Sequence, residues 1–218
     1  MRTRASSFCR SLVLAASVVW FCAAPGTALA TIIVETATLG ATGQTSGTNI
    51  NSNQWLGARF TLTQPTQITD IGGHLVSTAP GGIFGAIVPL SSPTALPSFL
   101  PSTIATSALA GTVFTPPSLS ADVLTPLSVL LAPGSYAVVF GSGGPFGAAG
   151  SGAMAIANLP LLGSPSFFRA FGGSWVENGF TEARFVVVGN VVPEPTTALL
   201  LGVGLAGVTA MRRRRATQ

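Results

Sequence analysis

The hydrophobic pattern divides the chain into three parts. Apolar residues run almost without interruption over 11–22 and again over 198–211, whereas from 31 to 192 they fall in short clusters or alternate with Ser, Thr, Asn and Gln. Alternation with a period of two sets successive side chains on opposite faces of a strand, and β-branched or aromatic clusters between Gly and Pro favour strands over helices. The pattern predicts strands over 31–38 (TIIVETAT), 55–63, 67–76, 83–90, 123–131, 135–141, 153–158, 166–171 and 183–188. Within 67–76 the Gly72-Gly73 pair predicts a bulge or bend, and Pro133-Gly134 between two strong runs predicts a hairpin. Prolines at 65, 80, 89, 93, 97, 101, 116, 117, 126, 133, 145, 160 and 165 recur too often for an amphipathic helix. Residues 91–101 and 141–152 read as long loops, and no tandem repeat is present. The fold expected over 31–191 is mainly β, an antiparallel β-sandwich of jelly-roll-like type.

The two apolar ends carry different flanks. Residues 1–30 have the order of a secretory signal peptide: Arg2, Arg4 and Arg10, then the run 11–22, then Pro25 and Gly26 as breakers, then Ala28 and Ala30 as small residues at −3 and −1. Cleavage after Ala30 leaves Thr31 at the start of the exported chain and implies passage through the Sec export machinery. A lipoprotein would need small residues before Cys22, which instead follows Val19, Trp20 and Phe21. Residues 192–218 have three parts in fixed order. Pro193, Glu194 and Pro195 form a turn that the prolines hold extended. One short transmembrane helix is expected over 196–211, and Arg212, Arg213, Arg214 and Arg215 follow it as a cytoplasmic stop. Fourteen residues from 198 to 211 give about 21 Å of helix, short of the roughly 30 Å hydrocarbon core. A lasting anchor would be longer, whereas a signal that is read and removed can be short.

The order Val192-Pro193-Glu194-Pro195, apolar run with Gly202, Gly204 and Gly207, arginine cluster resembles the PEP-CTERM sorting signal of Gram-negative envelope proteins. The resemblance implies recognition by exosortase, a membrane-embedded cysteine protease, and processing near the Pro-Glu-Pro. Trp55 to Phe60, the stretch Leu131-Ala132-Pro133-Gly134-Ser135-Tyr136 and the Gly-rich 141–149 resemble the small β-sandwich ectodomains that precede such tails.

Charge changes the picture only once it is located. The chain has 218 residues, a formal charge of +4 and a pI near 10.5, figures that would suit a nucleic-acid binder. All ten basic residues are arginine, three in the first 30 residues and four in the tail. Between 31 and 192, Arg59, Arg169 and Arg184 stand against Glu35, Asp70, Asp122, Glu177 and Glu182, three against five, which leaves −2. No basic patch faces a phosphate backbone, so no nucleic-acid partner is expected. Cys9 and Cys22 both fall in the signal peptide, so neither a disulfide nor a thiolate metal site is expected in the exported domain.

Catalytic chemistry is thinly represented. A Ser-His-Asp arrangement would have to use His74, the single histidine, with Asp70 or Asp122, and no serine lies in a GxSxG. One histidine and five scattered carboxylates give no metal-ligand cluster, and no cofactor is expected. Glu177 and Glu182 flank a stretch read as a loop, WVENGFTEA, where charge solvates rather than forming a glycosidase pair. The GxGxxG at 202–207 lies in the apolar tail, and the Gly-rich 141–147 has no Gly-Lys-Ser/Thr. Trp55 and Trp175, with Tyr136 and Phe180, are candidates for stacking on sugars, although core packing is the commoner fate of such rings. The expectation is a non-enzymatic surface or extracellular-matrix protein of the cell envelope. It would be held transiently in the inner membrane and then processed by an exosortase-type protease. The alternatives are a glycan- or exopolysaccharide-binding module and a secreted hydrolase.

Overall fold

The computed structural model of the chain describes residues 30–161, 167–179 and 181–192, together with Gly202 and Gly204. In chain order the strands are β1 (Thr31–Glu35), β2 (Ala37–Thr38), β3 (Thr48–Ile50), β4 (Gln54–Leu62), β5 (Thr66–Ala79), β6 (Ile83–Leu90), β7 (Ala110–Phe114), β8 (Ala121–Leu131), β9 (Gly134–Gly141), β10 (Ser151–Met154), β11 (Leu159–Pro160), β12 (Phe167–Phe171), β13 (Ser174–Glu177) and β14 (Phe185–Val191). One helical turn, α1 (Ile104–Ser107), follows a 3₁₀ turn at Pro101–Thr103. The first sheet runs β1-β14-β5-β10-β3, with β8 also on β5, and the second runs β13-β12-β4-β9-β6-β7; β2 and β11 form a small ladder. Every pairing is antiparallel.

The main core lies between the sheets. Ile68, Ile71 and Leu75 of β5 and Phe185 and Val187 of β14 meet Leu56, Phe60, Val138, Phe140 and Phe167 from the second sheet. Phe140 stacks on Phe185 with ring centroids 5.7 Å apart, and Phe167 lies 6.1 Å from Phe185. Each such ring contributes about 1.5–3 kcal/mol on burial. The outer face of the second sheet is buried as well: Trp55, Phe84, Ala86, Val88, Ala137, Val139 and Phe168 pack under Ile104, Ala148, Phe99, Phe146 and Trp175. That second layer is why β4, β6 and β9 read as near-continuous apolar runs.

It also explains the strongest departure from the sequence pattern. Pro133-Gly134 does not close a hairpin: β8 pairs with β5 in the first sheet, whereas β9 lies between β4 and β6 in the second. Strand β9 is apolar on both faces and needs a doubly covered centre. Strand β8 exposes Asp122, Leu124, Pro126, Ser128 and Leu130, and carries a proline, so it suits an edge. The Tyr136 hydroxyl donates to Ala132 O at 2.8 Å and fixes the corner where the chain changes sheets. Gly72 and Gly73 make no bulge either. The register is regular through both, and the irregularity falls at Thr69. Both are glycine because a Cβ there would strike Val123 O of β8 and Arg184 O just ahead of β14. Strands β3, β7, β11 and β13 are additional to the pattern; β13 takes up the first part of the WVENGFTEA stretch. The run at 153–158 is strand only to Met154.

Strand β5 spans the sandwich, about 40 Å over its fourteen residues. Its Thr66 end defines a base, where β4 ends, β9 begins and β8 ends (Leu62↔Gly134, Leu131↔Thr66). Its Ala79 end defines a tip, with Gln54, Gly141, Phe171 and Ser151.

Candidate functional site

Both termini of the described domain leave at the base. Thr31 pairs with Gly189 and Val191 with Thr66, and the Val192 N–H donates to Pro65 O at 2.8 Å. Strand β14 lies between β1 and β5, with core residues Phe185 and Val187 pointing inward, so the chain is held firmly up to the residue before Pro193. Of the predicted sorting residues, Pro193, Glu194, Pro195 and Arg212, Arg213, Arg214 and Arg215 lie outside the described residues, as does Ala28. Ala30 is exposed beside Thr31. The expected span 196–211 is described only at Gly202 and Gly204, both helical and exposed. Among the described residues no helix is long and apolar enough to cross a membrane.

The tip carries a cleft of about 490 Å³ between the turn at Ser52-Asn53, the Pro101–Thr103 turn and the Gly143-Gly144-Pro145 loop. Trp55 and Trp175 do come together, with centroids 6.1 Å apart. Trp55 is 5 % exposed and forms part of the cleft wall, its indole N–H donating to Ser142 O at 2.8 Å. Trp175 donates to Phe99 O at 2.6 Å and packs edge-on against Phe168. Neither ring is an open platform. Phe180 is outside the described residues. The side chains of Ser52, Asn53 and Ser102 line the cleft, are exposed and make no hydrogen bond to the described residues, and no charged side chain is among the lining residues. Such a cleft offers hydroxyl and amide groups beside the Trp55 side chain and disfavours ionic ligands.

His74 is buried where β14 gives way to β10 along β5: its N–H donates to Arg184 O and its carbonyl accepts from Ala155 N–H. The orienting partners are Ser120 and Asn158, not Asp70 or Asp122. The Asn158 amide donates to Ala155 O and Glu182 O, which turns its Oδ1 toward His74 Nδ1 at 2.8 Å. That geometry assigns the proton to Nδ1 and leaves Nε2 to accept from the Ser120 hydroxyl at 2.9 Å. The row Ser120–His74–Asn158 has the connectivity of a nucleophile, base and orienter. All three are buried, however, and Ser120 Oγ is also capped by Gln44 N–H. It serves to tie three loops to the outer face of the first sheet. The sequence held no signal for it, because the partners lie 46 and 84 residues away.

The charged residues are largely used within the fold. Arg184 is buried and bonds Asp122 through Nε and Nη2 and Glu35 through Nη1, which joins β1 and β8 across the intervening β14 and β5. Burial disfavours its charge, but the hydrogen bonds and attraction of Asp122 and Glu35 outweigh this and raise its pKa above the ordinary arginine value. Arg59 makes a two-pronged pair with Glu177, at 2.6 and 3.1 Å, so Glu177 sits on a strand with a partner. Among the described residues no group of three or more His, Cys, Asp or Glu could hold a metal ion.

No curated protein matches the chain. The family model for the PEP-CTERM protein-sorting motif matches residues 191–215. It therefore begins at the last residue of β14, and the chain carries a PEP-CTERM protein-sorting motif joined to a mainly β antiparallel domain without an intervening linker.

Proposed function

We propose that this is an exported, non-enzymatic surface or extracellular-matrix protein of the bacterial envelope. Its domain is a jelly-roll-like sandwich delivered by the Sec machinery. The tail holds it transiently in the inner membrane, and an exosortase-type protease processes it. One observation carries the reading: the sorting motif at 191–215 starts where the last core strand ends. The test is replacement of Pro193, Glu194 and Pro195 together by alanine, with immunoblots of membrane and outer fractions from a host that has an exosortase. The variant is expected to be exported and inserted but to stay full-length and membrane-held. If it is shortened and released like the wild type, the tail is a plain anchor.

A second reading adds to the first. The uncharged cleft, with the free side chains of Ser52, Asn53 and Ser102, supports binding of a neutral glycan such as an exopolysaccharide. Of the two candidates for stacking, Trp55 and Trp175, Trp55 is the one that lines the cleft. A hydrolase is disfavoured because the nucleophile–base pair found among the described residues, Ser120 and His74, is buried.

A further inference from the structure

We infer that the base of the sandwich is a lipid-contact face: before the sorting motif is processed, its short tether seats this face on the bilayer and points the tip outward. The inference takes the membrane from the sorting reading above and the face from the described residues.

Val191 is in the ladder and Val192 is hydrogen-bonded to Pro65, so no slack exists on the domain side. Five residues, Pro193 to Thr197, separate Val192 from the apolar run. Fully extended, five residues reach about 18 Å at most. The polar layer of one leaflet takes about 5–8 Å of that. About 10 Å remains for a domain about 40 Å tall, so the base stays within about 10 Å of the headgroups and the tip cannot turn toward the membrane. The N-terminal end agrees, because Thr31 pairs with Gly189 and leaves from the same face.

The composition of the base suits that position. Residues 31–34, 61–69, 127–137 and 189–192 contain no acidic or basic side chain. Leu130 is 60 % exposed, Ile32 55 %, Val191 44 % and Val192 37 %, beside the exposed Thr63 and Gln64 of the turn. Seating this rim among headgroups strips water from no ion. The paired charges, Arg184 with Asp122 and Glu35 and Arg59 with Glu177, lie further up the sandwich.

Both native cysteines fall in the predicted signal peptide, so an introduced one is unique in the exported chain. The full exported chain, tail included, is labelled with an environment-sensitive fluorophore at Gln64→Cys (base) or Asn53→Cys (tip). It is then reconstituted into phosphatidylethanolamine–phosphatidylglycerol vesicles containing spin-labelled lipid. Quenching is expected to be several-fold stronger at position 64 than at 53. A twenty-residue Gly-Ser insertion between Val192 and Pro193 should bring the two together. Chains that float with the vesicles but show equal, weak quenching overturn this inference alone. So does quenching at position 64 that appears only when exosortase-containing membranes are added, which would make the base an enzyme contact. Strong quenching at 64 that survives the insertion overturns the tether as the cause. Failure to float with the vesicles overturns the sorting reading as well.

Discussion

The base and the tip of the sandwich are built by opposite backbone devices. At the base the chain crosses between sheets at Pro65 and Pro133, with the second corner pinned by Tyr136 to Ala132 O, and no described residue there has positive φ. At the tip the connections run through Gly81, Gly82, Gly143, Gly144, Gly147, Gly172 and Gly173, all with positive φ, and Phe146 is strained at φ 56. Proline restricts the unfolded chain and stiffens a turn, whereas glycine admits conformations that no other residue holds cheaply. The stiff end receives both termini of the described domain, and the glycine-turned end holds the uncharged cleft. Attachment and recognition are thereby separated by the height of the sandwich.

The largest effect tests whether the two ends are one cooperative unit. Phe185 belongs to β14, which feeds the tail, yet its ring stacks on Phe140 of the second sheet. Phe185→Ala is expected to cost about 3–5 kcal/mol. The domain's two tryptophans, Trp55 and Trp175, both lie near the tip. Urea unfolding followed by their fluorescence should therefore report the tip, and far-UV circular dichroism the sheets. Both midpoints should fall together. A shift in the dichroism alone would break the molecule into separable ends.

A smaller effect separates the two backbone devices. Gly144 has φ 112, and a Cβ there meets nothing within 4 Å, so Gly144→Ala isolates backbone strain. The expected loss is about 1–2 kcal/mol. Pro133→Ala at the base should cost only about 0.4–1 kcal/mol, through the greater freedom of the unfolded chain. Equal losses, measured as shifts in unfolding midpoint, would remove the distinction drawn between the ends.

The legibility of the molecule follows the same line. Strand β6 was readable to its termini, and β4, β5, β8, β9, β12 and β14 were readable in kind, because local alternation and β-branched clusters carry that signal. Partnership was not. The Pro133-Gly134 pair is local and suggests a hairpin, whereas the choice of sheet depends on how many faces each strand must bury, a property of the whole assembly. Glu177 looked like loop charge because its partner Arg59 lies 118 residues away. The Ser120–His74–Asn158 row was invisible for the same reason. The sorting motif is the opposite case: its parts are contiguous, since it functions as a linear signal rather than as a fold. The cleft at the tip is assembled from four separate stretches, and only Trp55 and the Gly-rich loop drew notice in the sequence.

The smallest expected change in stability comes at the cleft, and it bears most directly on what the tip does. Asn53 and Ser102 are exposed, line the cleft from two different turns, and have side chains without a hydrogen bond to the described residues. Replacing both by alanine removes no side-chain hydrogen bond to the described residues, so the unfolding midpoint should stay within the roughly ±0.5 kcal/mol typical of surface changes. A neutral polysaccharide bound there would lose two hydrogen-bonding groups, each contributing about 0.5–1.5 kcal/mol. The summed loss is about 1–3 kcal/mol, a weakening of about five- to 150-fold. Retention on immobilised neutral polysaccharide should fall accordingly, while an acidic polysaccharide gives no comparable retention because the cleft offers no cation. Charge substitutions at the base, such as Gln64→Glu, should leave retention unchanged. If the double variant retains polysaccharide like the wild type, the cleft is only a gap between glycine-rich turns, and the contrast between the ends is one of backbone alone. If Gln64→Glu abolishes retention, recognition and attachment share a face, and the division of labour between base and tip fails.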